Sequence, residues 1–115
     1  MQVQVNTDDH IQGGEALAQW VRDEASSRLT RFKDHVTRLE VFLTDVDSAK
    51  SGVNDKRCRL EARVTSRQPV TVTADADKMA AAFIAAVDKL ARALDADLGR
   101  AKDRHGRDTI RDVQE

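Results

Sequence analysis

The chain is poor in the residues from which most catalytic and metal centres are built. Its 115 residues include one cysteine, three histidines and no tyrosine. The histidines His10, His35 and His105 lie far apart, with no second histidine or cysteine at ligand spacing, so we expect no structural zinc site. Glycine-rich phosphate loops and nucleophile motifs are missing as well. The sequence therefore predicts a protein that is not an enzyme and that takes no cofactor or small-molecule substrate.

A lone cysteine and one pair of acids are the remaining candidates for site chemistry. Cys58 has no partner for an intrachain disulfide. It falls at an inward position of an alternating strand pattern, which favours a buried hydrophobic residue over a reactive thiol. Asp45 and Asp47 could converge on a hard cation, but magnesium needs more ligands than the neighbouring sequence offers. We expect no metal site.

Long apolar runs are also missing. Hydrophobic residues make up 40% of the chain and charged residues 34%, which is too apolar for a disordered chain and too interrupted by charge for a membrane span. The N-terminal MQVQVNTDDH has neither the basic start nor the apolar segment of a signal peptide. We therefore expect a soluble cytoplasmic protein with no membrane partner. The length predicts a single domain.

Charge is balanced overall but unevenly distributed. The formal net charge of −1 argues against a nonspecific nucleic-acid binder, because such proteins rely on a large cationic excess. The first 24 residues contain five acids and one base, whereas residues 56–67 contain five bases and one acid. Residues 100–111 again hold five bases, against two acids. This distribution indicates separate basic patches on a nearly neutral body.

Alternation of apolar and polar residues predicts four strands. They are Gln2–Asn6, Val36–Val46, Arg57–Thr65 and Val70–Asp75. The third has the clearest pattern, with the residues pointing inward being Cys58, Leu60, Ala62 and Val64. The outward residues are Arg57, Arg59, Glu61 and Arg63. We interpret this charged row as a solvated sheet face, because exposed faces carry charge to stay soluble.

Two segments have the periodicity of amphipathic helices. The first, Glu15–Arg31, puts Trp20 and the nearby Phe32 in or near the core. The second runs from Asp77 to about Lys102, and Asp75 or Asp77 is placed to cap its first turn. Its apolar stripe consists of Met79, Phe83, Val87, Leu90, Leu94 and Leu98.

The order strand, helix, three strands, helix predicts the fold class. Both helices must cover the single apolar face of a four-stranded, antiparallel-rich sheet. The result is an α+β, two-layer β-α-β-β-β-α sandwich that we place at residues 1–104. Residues 105–115 have no periodic stripe, and we expect a mobile C-terminal tail there.

Three stretches carry a resemblance to a known family. They are EAL followed by WV within residues 15–21, LTRFKDHV at residues 29–36 and, above all, DKLARAL at residues 88–94. Together with the order of elements, these stretches resemble the ribosome hibernation-promoting factor and ribosome-associated inhibitor family, also called sigma factor modulation proteins. The likeness spans residues 1 to about 102, and the chain resembles the short-type members.

The resemblance implies a fold similar to double-stranded RNA-binding domains and a non-catalytic role on the ribosome. Members of this family lie in the decoding region of the small ribosomal subunit, where they exclude mRNA and tRNA during stress or stationary phase. The implied partner is therefore the rRNA of the small subunit.

The same resemblance indicates which residues would bind rRNA. Lys89 and Arg92 match the family's helix pattern of Asp-Lys-Leu, then Arg, then Leu, and are the best-supported contacts. At other basic positions of the family this chain has apolar residues, and its cations stand at neighbouring positions instead. Late in the second helix these are Arg100, Lys102 and Arg104. In the first helix they are Arg22, Arg28 and Arg31.

Three other interpretations of these residues remain open. Lys89 and Arg92 could be solvated side chains beside the buried stripe, with Asp88 and Asp95 as weak surface partners. The domain could be a protein-interaction module that keeps the fold without tight ribosome binding. It could also form a weak homodimer through an exposed edge strand such as Gln2–Asn6.

Overall fold

The computed structural model describes residues 1–8, 14–46 and 56–99 in full, and the course of the helical backbone for residues 100–114. Over these described residues the chain forms four strands, two long helices and one short 3-10 helix. In chain order they are β1 (Gln2–Thr7), α1 (Gly14–Arg28), a 3-10 helix (Thr30–Phe32), β2 (Val36–Asp45), β3 (Lys56–Val64), β4 (Val70–Ala76) and α2 (Met79–Gln114). The predicted order of elements is confirmed.

The four strands form one mixed sheet in their sequence order, β1-β2-β3-β4. β1 runs parallel to β2, because α1 carries the chain back across the sheet between them. The β2–β3 and β3–β4 pairs are antiparallel hairpin neighbours. The predicted α+β class with an antiparallel-rich sheet is confirmed, and β1 and β4 are its two edges.

One face of the sheet is apolar, as the alternation predicts. On β2, Leu39 and Val41 are fully buried, and they pair with Ala62 and Leu60 of β3, which are buried as well. Cys58 continues this row opposite Leu43. Burial raises the pKa of the Cys58 thiol to about 12, so the residue behaves as a small hydrophobic side chain.

Both helices cover this apolar face. α2 packs on β3 and β4, and α1 packs beside β1 and against α2. The centre of the α2 stripe is fully or almost fully buried at Phe83, Val87, Leu90 and Leu94. The ring of Trp20 meets Phe83 edge to face, with centroids 5.5 Å apart. The predicted core positions of Trp20, half-buried, and of Phe32, buried, are confirmed.

The first helix is shorter than predicted and ends at Arg28. The chain tightens there into the 3-10 turn, in which the Phe32 amide donates to the Leu29 carbonyl at 2.9 Å. The Thr30 hydroxyl donates to the Ser26 carbonyl at 2.6 Å and occupies an acceptor at the helix end. Phe32, at the end of this turn, is buried in the core.

The second helix is longer than predicted and differs at its start. It continues to Gln114, since no proline interrupts it. At this start, the Ala82 amide donates a backbone hydrogen bond to the Lys78 carbonyl at 3.0 Å. The prediction that Asp75 or Asp77 caps this end is wrong. The Asp75 carboxylate accepts two hydrogen bonds from Arg57 instead, and the Asp77 side chain accepts none from the first turn among the described residues.

Some predictions fall outside the described residues. These include the position of Asp47 and the side chains of residues 105–115, so the mobility of the predicted tail stays a prediction. Asp45, the other acid of the pair, accepts a hydrogen bond from Lys56 at 3.2 Å. Among the described residues, no helix is both long enough and apolar enough to cross a membrane.

We expect Phe83→Ala to lower the free energy of unfolding by about 3 to 5 kcal/mol, because it empties the centre of the helix–sheet core. Urea denaturation followed by fluorescence is a direct measurement, since Trp20 is the single tryptophan and contacts Phe83. Ile84→Ala changes a half-buried neighbour on the same helix and is the matched control. It should lower the free energy of unfolding by less than Phe83→Ala does. A loss below about 1 kcal/mol for Phe83→Ala would contradict the packing of α2.

Candidate nucleic-acid interface

The solvent side of α2 presents the two cations that the sequence favoured. Val87 and Leu90 are buried against the sheet, so Lys89 and Arg92 lie off the apolar stripe of α2. The side chains of Lys89 and Arg92 are both exposed. Arg92 makes no ion pair with any residue among those the structure describes. Three residues apart on a helix, the two side chains are neighbours and can act on one ligand.

Lys89 also covers the edge of the sheet. Its Nζ donates a hydrogen bond to the backbone carbonyl of Thr73 on β4, at 2.9 Å. An edge strand leaves such carbonyls without a strand partner, and a lysine there hinders pairing with another chain. An ammonium group has three donors, so two remain for an anionic ligand. The expected surface partners Asp88 and Asp95 do not bind Lys89.

The basic residues predicted at the first helix are already paired. Arg22 lies 3.5 Å from the Glu15 carboxylate, and Arg28 lies 3.1 Å from that of Glu24. Arg31 reaches across to α2, where it pairs with Asp95 and lies over the Phe32 ring, 4.2 Å from its centroid. These carboxylates offset the charge that an anionic ligand would meet, so the contribution of the three arginines to a ligand site stays a prediction.

The third predicted group lies on the C-terminal part of α2. The backbone there is helical. The side chains of Arg100, Lys102 and Arg104 lie outside the described residues, so their place in the interface stays a prediction.

A second cationic surface lies on the open face of the sheet, opposite the helices. Three of its four arginines have a nearby carboxylate. Arg57 binds Asp75 through two hydrogen bonds of 2.8 and 3.1 Å. The other two pairs are Arg38 with Glu40 at 3.4 Å and Arg63 with Glu61 at 3.7 Å. The interpretation of the charged row on β3 as a solvated face fits the pairs of Arg57 and Arg63.

Arg59 differs from its neighbours on this face. It makes no ion pair with any described residue, and its guanidinium carbon lies 4.3 Å from the centroid of the Phe42 ring. Sequence reasoning missed this pair, although an aromatic residue at an outward position of β2 was a signal. The register that sets Phe42 opposite Arg59 was needed to connect them.

Comparison with known proteins identifies the family. The model of the family described as sigma 54 modulation protein / S30EA ribosomal protein matches residues 3–104. The chain belongs to this family. No curated protein sequence matches the chain significantly.

Two solved structures share the fold of this S30EA-family chain. The N-terminal domain of Thermus thermophilus Protein Y has a TM-score of 0.60 at 21% identity, covering 78% of this chain and 91% of that one. A ribosomal subunit interface protein from Coxiella burnetii has a TM-score of 0.58 at 14% identity, covering 90% and 99% respectively. The fold of a ribosome-associated family is therefore present over the described domain.

The ion pairs of this S30EA-family domain shift the ionisation of their acids. Hydrogen bonds from Arg57 hold the pKa of Asp75 below its ordinary value against the opposing effect of partial burial, and the charges of Arg57 and Lys89 add to this. Hydrogen bonding from Arg31 lowers the pKa of Asp95 in the same way. Lowered pKa values mean that the folded state favours both carboxylates in their charged form.

Asp75→Asn should therefore change stability in a pH-dependent way. Because the folded pKa is lowered, the pair stabilises the fold above the ordinary carboxyl pKa of about 3.9 and loses this effect as pH falls through the folded value. At about pH 6 we expect the variant to be less stable by under about 1 kcal/mol, as for other exposed pairs. The difference from the parent should be smaller at about pH 2.5, because the stabilisation is lost as the pH falls below the ordinary carboxyl pKa.

Urea denaturation of parent and variant at both pH values measures this difference. Asp88→Asn is the matched control, because Asp88 is exposed and has no ion pair among the described residues. It should leave stability unchanged at both pH values. A deficit for Asp75→Asn that grows as the pH falls would contradict the pairing with Arg57.

Proposed function

We propose that this protein is a ribosome hibernation factor that binds small-subunit rRNA in the decoding region and blocks mRNA and tRNA. The observation that carries the proposal is the placement of Lys89 and Arg92, the cations indicated by the sequence resemblance, side by side on the exposed side of α2. The ammonium of Lys89 and the guanidinium of Arg92 can each contact a phosphate, and neither forms an ion pair within 4 Å of a carboxylate among the described residues. Stress or stationary phase is the condition in which such a factor acts.

The proposed action is occlusion, with no bond made or broken. A folded domain held in the decoding region fills the space that mRNA and tRNA need. α2 is suited to this, since its 36 residues form a rod of about 54 Å at 1.5 Å per residue. The proposed contacts Arg100, Lys102 and Arg104 would extend the basic surface along the same rod.

A protein-interaction module is the second candidate. The observation in its favour is that most described arginines already pair with carboxylates, which leaves a nearly neutral surface of mixed charge. Such a surface suits a partner protein of mixed charge better than a polyanion. Removing single cations from the protein and measuring the salt dependence of binding distinguishes the two candidate functions, because only phosphate contacts release condensed counterions.

The test of the rRNA proposal is co-sedimentation with purified small subunits at about 50 and 200 mM salt. The double change Lys89→Ala with Arg92→Ala should weaken binding and lower the salt slope by roughly 1.4 to 1.8, or 0.7 to 0.9 per contact. It should also relieve inhibition of translation in a cell extract. Its unfolding free energy should stay within about 1 kcal/mol of the parent's.

Lys33→Ala is the matched control, since Lys33 is exposed and unpaired among the described residues but lies on the connection to β2. Lys33→Ala should change the salt slope much less than the single change Arg92→Ala does. A double variant that stays bound with an unchanged slope would overturn the α2 surface. A parent protein that never sediments with small subunits at low salt would overturn the ribosomal function and leave the interaction module.

A further inference from the structure

The open face of the sheet is ordered in rows that run across the strands. One row consists of two arginines, Arg38 and Arg63, and the next sets Glu40 opposite Glu61. The third row runs across all four strands as Asn6, Phe42, Arg59 and Thr73. This third row combines an aromatic ring with an unpaired cation and two neutral polar side chains.

We propose that Phe42 and Arg59 form a stacking subsite for an unpaired nucleobase of RNA. The guanidinium lies over the Phe42 ring at 4.3 Å and belongs to an exposed side chain. Aromatic rings and guanidinium planes are the groups on which proteins stack single-stranded bases. Phe42 supports the guanidinium on one side, so a base can add on the other side without reordering either residue.

A recess beside Phe42 favours a base over a bare phosphate. Its volume is about 200 Å³, and it is lined by Asn6, Thr7, Asp8, Phe42, Leu43 and Thr44. This is smaller than a pocket for a drug-sized ligand and suits a single flat ring system. The Asp8 carboxylate accepts a hydrogen bond from the Asp45 amide at 3.2 Å, and a carboxylate can accept from the amino group of a base, whereas an ionised phosphate offers no such donor.

The subsite is continuous with the α2 surface. Lys89 of α2 binds the carbonyl of Thr73, and Thr73 is the direct β4 partner of Arg59. Neighbouring strands are about 4.8 Å apart, so the Lys89 contact on β4 lies one strand spacing from Arg59 on β3. An RNA strand whose phosphate binds Lys89 can therefore cross the β4 edge and place a base on Arg59.

Acids flank the Phe42–Arg59 row on both sides, and each has an arginine near it. Glu40 lies 3.4 Å from Arg38, and Glu61 lies 3.7 Å from Arg63. On the other side Asp75 is held more closely, by two hydrogen bonds of 2.8 and 3.1 Å from Arg57. The Arg57 side therefore presents the better-compensated acid to the phosphates of a bound strand. The identity of the RNA as rRNA rests on the proposed function, whereas the stacking chemistry does not.

The experiment measures fluorescence anisotropy of labelled oligouridylate and oligoadenylate of about ten nucleotides, and of a duplex of the same length. Arg59→Ala should weaken binding of both single strands about 5- to 150-fold, the range for one lost base-stacking contact. Binding of the duplex should change little, because its bases are already stacked and paired. Phe42→Leu should weaken the single strands in the same direction, with circular dichroism confirming its fold.

Two variants separate stacking from charge. Arg59→Lys keeps the charge but loses the plane, so it should bind single strands more weakly than the parent. Arg63→Ala removes a charge from the same strand and face but from a residue near Glu61, and should change binding less than about twofold. Full affinity in Arg59→Lys, equal losses for single strand and duplex, or a parent that binds no single strand at low salt would each overturn the subsite.

Small-subunit sedimentation distinguishes this failure from failure of the proposed function. If subunit binding needs Lys89 and Arg92 while Arg59→Ala binds both subunits and single strands like the parent, the function stands and the subsite is wrong. If single strands bind through Arg59 but the parent never binds subunits, the subsite stands and the ribosomal function is wrong.

Discussion

The alternation of side chains along β2 and β3 determines which face of the sheet is buried, and the rest of the structure depends on it. Val41 and Leu60 are fully buried partners, so their neighbours Phe42 and Arg59 must lie on the other face. A shift of one residue would exchange the faces and bury Arg59 without a counter-ion, at a large cost in free energy. The same constraint places α1 and α2 together on one side, since there is one apolar face to cover.

This two-layer arrangement separates the exposed cations into two surfaces. Arg92 lies on the solvent side of α2, and Arg59 lies on the open face of the sheet. A ligand could not reach both through the body of the domain. The β4 edge connects them, because the bond from Lys89 to the Thr73 carbonyl brings the cation of α2 to the strand beside Arg59. An edge strand, usually a liability, thus becomes the path between the two surfaces.

Periodicity was sufficient for the elements and the core but not for the contacts between elements. The stripe on α2 and the alternation on β3 predict which side of each element is buried, because they depend on neighbours in the sequence. The pairs Arg31 with Asp95 and Arg67 with Asp97 join residues 64 and 30 positions apart. Nothing in the local pattern indicates that such residues meet.

The same limit explains what was missed at the site. Lys89 was identified from its place off the apolar stripe and from the family pattern, but its bond to a strand carbonyl required the packing of α2 on β4. Phe42 and Arg59 each looked like an ordinary outward residue. Their contact depends on the β2–β3 register, which includes a shift between Val36 and Arg38 that alternation does not reveal.

The pairing of most arginines also changes how salt dependence should be interpreted for this protein. The two contacts at Lys89 and Arg92 by themselves give a slope of roughly 1.4 to 1.8, which over a fourfold change in salt is only about a 7- to 12-fold change in affinity. The proposed contacts of Arg100, Lys102 and Arg104 would steepen this slope, whereas stacking and neutral hydrogen bonds respond little to salt. A moderate slope in the parent protein is therefore compatible with RNA as well as with a protein partner. What separates the two is whether the slope falls further as each unpaired cation is removed, because only a polyanion releases counterions at each lost contact.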